Sequence, residues 1–147
     1  MDRLNDTLLT LMTLLNELQL ILLEEARQLR QLNVNPAVLH ALAENKNHLL
    51  SALALHDEKR KELENALHTY APYPVQSGLA EQWKQVSTLV GQTAAHSDKI
   101  KFLLELHMQK NKQLRQVFNL SALENPLYGP AGEKENSAIS TFSSVSI

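Results

Sequence analysis

The sequence predicts an all-α protein: a three-helix antiparallel bundle or coiled-coil hairpin, with an extended C-terminal helix and a disordered tail. Leucine recurs at alternating steps of four and three through three long segments, the spacing that keeps an apolar stripe against a neighbouring helix. The 147 residues include only four glycines and five prolines, and the prolines fall at segment borders. At Asn125-Pro126 the character changes abruptly to a polar, serine-rich stretch. The expected organisation is a helical domain over 1–125 and a flexible tail over 126–147.

The first helix is expected over about 2–32. Leu4, Leu8, Leu11, Leu15, Leu18, Leu22, Glu25, Leu29 and Leu32 share one seam, and only Glu25 is not leucine. Leu9, Met12, Leu14 and Ile21 lie off it, so this helix is expected to bury more than one stripe and to sit centrally. Asn33-Val34-Asn35-Pro36 then ends one helix and starts another, with Asn35 as N-cap and Pro36 at the first helical position.

The second helix is expected over about 36–69, with Leu39, Leu42, Lys46, Leu49, Leu53, His56, Arg60, Leu63 and Leu67 on its seam. Charge interrupts its later part, which predicts a more exposed helix, and Glu58-Lys59-Arg60-Lys61-Glu62 reads as a solvated face. Pro72 and Pro74 make the next stretch a loop. The third helix is expected over about 78–124, with Trp83 as a core anchor. Its weak middle, Gly91 to Ser97, predicts a kink or break. Tyr70 and Tyr73 are expected to pack over the bundle end.

Helix lengths carry the first functional argument. Helix two can cover helix three only to about Lys110, leaving Asn111 to Glu124 to project by roughly 20 Å at about 1.5 Å per residue. That stretch holds Leu114, Val117, Phe118, Leu120 and Leu123, and Lys99 to Arg115 contains five bases and one acid. An uncovered apolar face marks a binding surface, a helix that bends back, or a homodimer contact.

Other classes are set aside. Net charge is −2 with interleaved signs, which gives no nucleic-acid surface, and the chain has no cysteine. The leucine-rich start lacks a positive leading region, and Glu17 divides it into charge-free runs of ten and six residues. A bilayer span needs about 20 apolar residues, so no membrane insertion and a cytoplasmic location are expected. His40, His48 and His56 are eight residues apart, two helical turns or about 12 Å, too far to share one metal, so none is expected. No phosphate-cradling loop, nucleophile elbow or cysteine nucleophile is present, which predicts neither an enzyme nor a cofactor.

The whole chain resembles the FlgN family, cytoplasmic chaperones of flagellar type III export. The resemblance runs through Arg3-Leu4 with its leucine helix, Glu44-x-Lys46-x-x-Leu49-Leu50 and Glu81-x-Trp83. It continues through Leu103-Leu104-Glu105 with Asn111 and Leu114, to Leu127-Tyr128-Gly129-x-x-Gly132. It implies binding of a C-terminal helical segment of hook-associated proteins, and delivery of these subunits to the cytoplasmic domain of the export gate. The cargo-binding residues it implies are Ile100, Leu104, Met108, Leu114, Val117, Phe118 and Leu123; Leu127, Tyr128 and Gly129 would contact the gate. The alternative reading is a self-associating coiled-coil adaptor whose tail is a spacer.

Overall fold

The computed structural model describes the backbone of residues 1–118 and the side chains of residues 1–112. Three helices make up its frame: α1 (Asp2–Leu29), α2 (Pro36–Leu67) and α3 (Ala80–Phe118), with a short 3-10 turn at Val75–Ser77 before α3. The fold is all-α.

Helix α1 is central, as its off-seam apolar residues predict. Both α2 and α3 pack on it, while the Cα atoms of α2 and α3 stay more than 8 Å apart. Gln19 reaches Gln92, and Leu29 meets His107, so α1 and α3 run parallel. The short 30–35 turn sends α2 back antiparallel to both. Leu4, Leu8, Leu11, Leu15, Leu18 and Leu22 are each no more than 1% exposed. Full burial of a leucine contributes about 1.5–3 kcal/mol, so this stripe is the main source of cohesion. Facing it are Leu39, Leu50 and Leu53 of α2 and Trp83, Val86, Val90 and Ile100 of α3.

The first helix stops at Leu29 instead of extending to residue 32, and Leu32 is 94% exposed. Asn35 must be extended to precede Pro36 and to cap α2, where its Oδ1 accepts the Ala37 N–H at 3.0 Å. The residues between Leu29 and Asn35 are consumed in making that turn. Helix α2 ends at His68 in the left-handed conformation, with its N–H bonded to the Glu64 carbonyl. At the entry to α3, Gly78 takes φ +73°, and the Ser77 hydroxyl accepts the Leu79 N–H.

The expected break in helix three is absent: α3 is one 39-residue α-helix. Thr93 and Ser97, the weak helix formers, are buried on the seam against α1, and Thr93 Oγ1 donates to the Leu89 carbonyl one turn back. The penalty for Gly91 is about 1 kcal/mol, which the flanking burial of Val90 and Ile100 outweighs.

The charged run of α2 corrects a second expectation. Asp57, Arg60 and Glu64 are buried, not solvated, while Glu58, Lys59 and Glu62 do face water. Spacings of three and four put the buried three on one face. Arg60 Nε donates to Asp57 at 2.8 Å and Nη1 to Glu64 at 2.9 Å. Its guanidinium lies 4.7 Å from the Trp83 ring, and this stacking joins α2 to α3.

Candidate functional site

The candidate site is the stretch of α3 around and beyond the end of α1. The Leu29 carbonyl has no partner within its own helix, and His107 Nε2 donates a hydrogen bond to it. His107 is thus the last observed polar tie between α3 and the body. The eleven residues from Met108 to Phe118 continue past it, a projection of roughly 16 Å at about 1.5 Å per residue.

The surface there is apolar and basic. Phe102 is 59% exposed, Leu106 46% and Met108 45%. Leu103 and Leu104 are half-buried against the core edge. Lys99, Lys101, Lys110 and Lys112 are exposed around them, with Glu105 as the acid among them. Phe102 and Leu106 are one turn apart on a face of α3 off the seam that packs on α1.

The predicted cargo residues divide under this geometry. Met108 is exposed and Leu104 is half-buried beside it. Ile100 is only 3% exposed and packs into the core, which removes it from the candidate surface. Its seam position directs it at α1, and the seam still faces a partner helix there. Leu114, Val117 and Phe118 are placed in α3 by backbone alone, and Leu123, Leu127, Tyr128 and Gly129 lie outside the described residues. Sequence reasoning missed Phe102 and Leu106, the most exposed apolar residues of the site. Their signal was available: both are large, apolar and off the seam of α3.

The opposite end of the molecule is closed by a polar cluster that the sequence did not reveal. Trp83 is buried, as expected of an anchor, and Tyr73 meets it edge-on at 5.7 Å between ring centroids. Tyr70, expected to pack there too, is 54% exposed. Glu64 Oε2 accepts the Ala71 N–H at 2.7 Å, which fastens the loop to α2. Burial works against the charge on Arg60, but hydrogen bonding to Asp57 and the charges of Asp57 and Glu64 prevail and raise its pKa. The Tyr73 hydroxyl is buried and faces both Arg60 and Glu64. Burial, with the nearby Glu64 charge, pushes its pKa up to about 12.

A second buried pair joins α1 to α2, with a charged residue in place of leucine on each seam. Lys46 Nζ meets Glu25 at 2.6 Å, with side chains 3% and 6% exposed. Burial lowers the Lys46 pKa, and the Glu25 carboxylate opposes that shift. Among the described residues, no group of three or more His, Asp or Glu side chains is placed to share a metal ion. His40 instead pairs with Glu44 at 3.2 Å on the surface.

Fold and site therefore define a class: an all-α protein whose notable surface, among the described residues, is an exposed apolar and basic helical face. The family description "FlgN protein" matches residues 1–136, and this chain belongs to the FlgN family. It is 30% identical to the flagella synthesis protein FlgN of Proteus mirabilis over 140 residues, 95% of this chain and 94% of that one. The flagella synthesis protein FlgN of Yersinia enterocolitica is 28% identical over 138 residues, covering 94% of this chain and 93% of the relative. That of Salmonella typhimurium is 26% identical over 133 residues, 90% and 91% of the two chains. No solved structure matches.

Proposed function

We propose that this protein is a cytoplasmic flagellar export chaperone. It binds the C-terminal helical segment of hook-associated subunits, prevents their premature assembly and delivers them to the type III export gate. The observation that carries this reading is the exposed apolar and basic face of α3, with Phe102, Leu106 and Met108 beside a helix end that outruns α1. An amphipathic helix of the subunit would cover that face, in the helix-in-groove mode. Membership of a family whose relatives are named flagella synthesis proteins supports the same reading. In it, Leu114, Val117, Phe118 and Leu123 extend the grip, and Leu127-Tyr128-Gly129 contacts the cytoplasmic domain of the gate.

Calorimetry with purified hook-associated subunits tests the proposal. Phe102→Asp with Leu106→Asp, and separately Val117→Asp with Phe118→Asp, should each weaken binding at least about tenfold while helix content persists; tenfold corresponds to about 1.4 kcal/mol. Unchanged affinity in both pairs would refute the assignment. Tyr128→Ala should impair delivery without weakening capture. If light scattering shows only self-assembly, and no subunit binds, the protein is a self-associating coiled-coil adaptor instead.

A further inference from the structure

The borders of the α3 seam change character where α1 runs out. Trp83, Val86, Val90, Thr93, Ser97 and Ile100 follow one another at steps of three and four and are all buried, which fixes the heptad register of the seam. The positions bordering it, taken by Gln82, Ser87, Leu89, Ala94 and His96, are half-buried and hold no acid, lysine or arginine. Past Ile100 the seam continues through Leu104, His107, Asn111, Leu114 and Phe118, and its cover fades. Leu104 and His107 are half-buried, and Asn111 is exposed.

In the same register the borders become Lys101, Leu103, Met108, Lys110, Arg115 and Val117, three bases and no acid. Lys101 and Lys110 are exposed, and neither makes an ion pair among the described residues. Arg115 is placed there by backbone register alone. The acids of this stretch, Asp98 and Glu105, each follow a seam residue by one and so fall at outer positions. Charge therefore enters the borders only where the chain stops supplying a helix to face them. In coiled coils these bordering positions, e and g of the heptad, select the partner helix through opposite charge.

We infer that the end of α3 is half of a heptad seam whose other half is an amphipathic α-helix of a partner protein with acidic residues along both borders. This helix takes up the place that α1 vacates. The inference rests on the proposed capture of a helix by this end of α3 and adds the chemical class of that helix. Asn111 sharpens the fit, because a polar residue at a core position sets register against a polar residue opposite. Lys101 and Lys110 are about 14 Å apart at ~1.5 Å per residue, within reach of two acids on successive heptads of one helix. An anionic membrane would also attract the lysines, but its hydrocarbon gives Asn111 no partner, and burying an unpaired amide is costly.

Two synthetic three-heptad helical peptides with one shared leucine seam provide the test, one with glutamates on both borders and the other with lysines. Fluorescence anisotropy with the full-length protein at low salt should show the glutamate peptide binding at least about tenfold tighter. The gap should narrow at about 0.5 M salt, since exposed charges are screened. Lys101→Glu with Lys110→Glu should reverse the order of the two peptides. Lys99→Glu with Lys112→Glu alters net charge equally but at outer positions, and should leave the glutamate peptide the tighter. All four lysines are exposed, so both variants should fold, which circular dichroism checks. Equal binding of the two peptides overturns the inference, and so does an equal effect of the two variants, which would mean general charge attraction. Phosphatidylserine-vesicle binding or dimerisation that the Lys101/Lys110 variant abolishes while neither peptide binds overturns it as well. If that variant captures hook-associated subunits as tightly as the parent, the inference falls while the chaperone reading stands. If the peptides behave as expected but no subunit binds the parent, the chaperone reading falls and the acidic helix stands.

Discussion

The two ends of the bundle are held together by different chemistry. At one end, where α2 passes into α3, a buried arginine bridges two carboxylates and stacks on Trp83, while Glu64 also secures the loop backbone. At the other, α1 stops, and α3 continues past it with His107 as its last observed polar tie. A buried ion with an ordered set of partners tolerates little displacement, because any loosening leaves charge without compensation in a dry environment. A single hydrogen bond at a helix terminus can be exchanged for water at small cost. One end is therefore fixed, and the other is suited to opening where the exposed apolar face begins.

The largest test of that contrast is Arg60→Ala. It strands Asp57 and Glu64 in the interior and should cost about 3–5 kcal/mol in urea unfolding, the range for breaking a buried pair from one side. A loss below about 1 kcal/mol would mean that packing alone closes this end. Lys46→Met should be nearly as severe, because Glu25 then stays buried and unpaired. Glu25→Leu with Lys46→Met should recover the loss, to within about 1 kcal/mol of the parent or above it, since apolar replacement of a whole buried pair is often neutral or stabilising. If the double variant remains as unstable as the single one, the pair does more than occupy a seam.

Tyr73→Phe should act in the opposite direction. It removes a buried hydroxyl that makes no well-aligned hydrogen bond, though Arg60 and Glu64 lie beside it, and should stabilise by less than about 1 kcal/mol. The same residue sets a pH signature. Its folded pKa of about 12 lies above the ordinary 10.0, so the folded state resists losing this proton. The contribution is intact below pH 10 and lost as pH rises towards 12, and Tyr73→Phe should flatten that alkaline decline. The smallest global effect belongs to His107→Ala, about 1 kcal/mol or less. Its signal should be local: faster amide hydrogen exchange from Leu103 to Met108, with the Arg60 end unchanged. Uniform acceleration along α3 would erase the distinction between the ends.

Much of this architecture was legible in leucine spacing. The α1 seam, its central position, the Asn35-Pro36 start of α2 and the Trp83 anchor all follow from periodicity and capping chemistry, which are local. The buried charges were not legible as such, because a sequence shows that Arg60 lies among acids but not that Trp83 waits across the bundle to cover it. Continuity of α3 through Gly91 could not be settled from sequence for a related reason: propensity is local, and burial of Thr93 and Ser97 against α1 overrides it. At the site, length reasoning expected Asn111 to Glu124 to project past helix two; the described residues instead show α3 running beyond the end of α1 from Met108 to Phe118, with α2 not covering α3. Ile100, expected at the cargo surface, is buried in the core, because apolarity alone does not say which residues the core consumes, and Phe102 and Leu106 lie off the seam that the leucine spacing marks.

The central place of α1 also has a consequence for synthesis. It leaves the ribosome before either helix that covers it, so its leucine seam is at first unsheltered. Helix α2 follows after a short turn and can form a local hairpin, whereas α3 must wait for the loop around Pro72 and then align over some 70 intervening residues. Closing that long-range contact carries the larger entropic cost, about (3/2)RT ln n for a loop of n residues, and comes last. Ribosome-stalled chains that end before Ala80 should therefore display the α3-facing side of α1 to whatever nascent-chain factors are at hand.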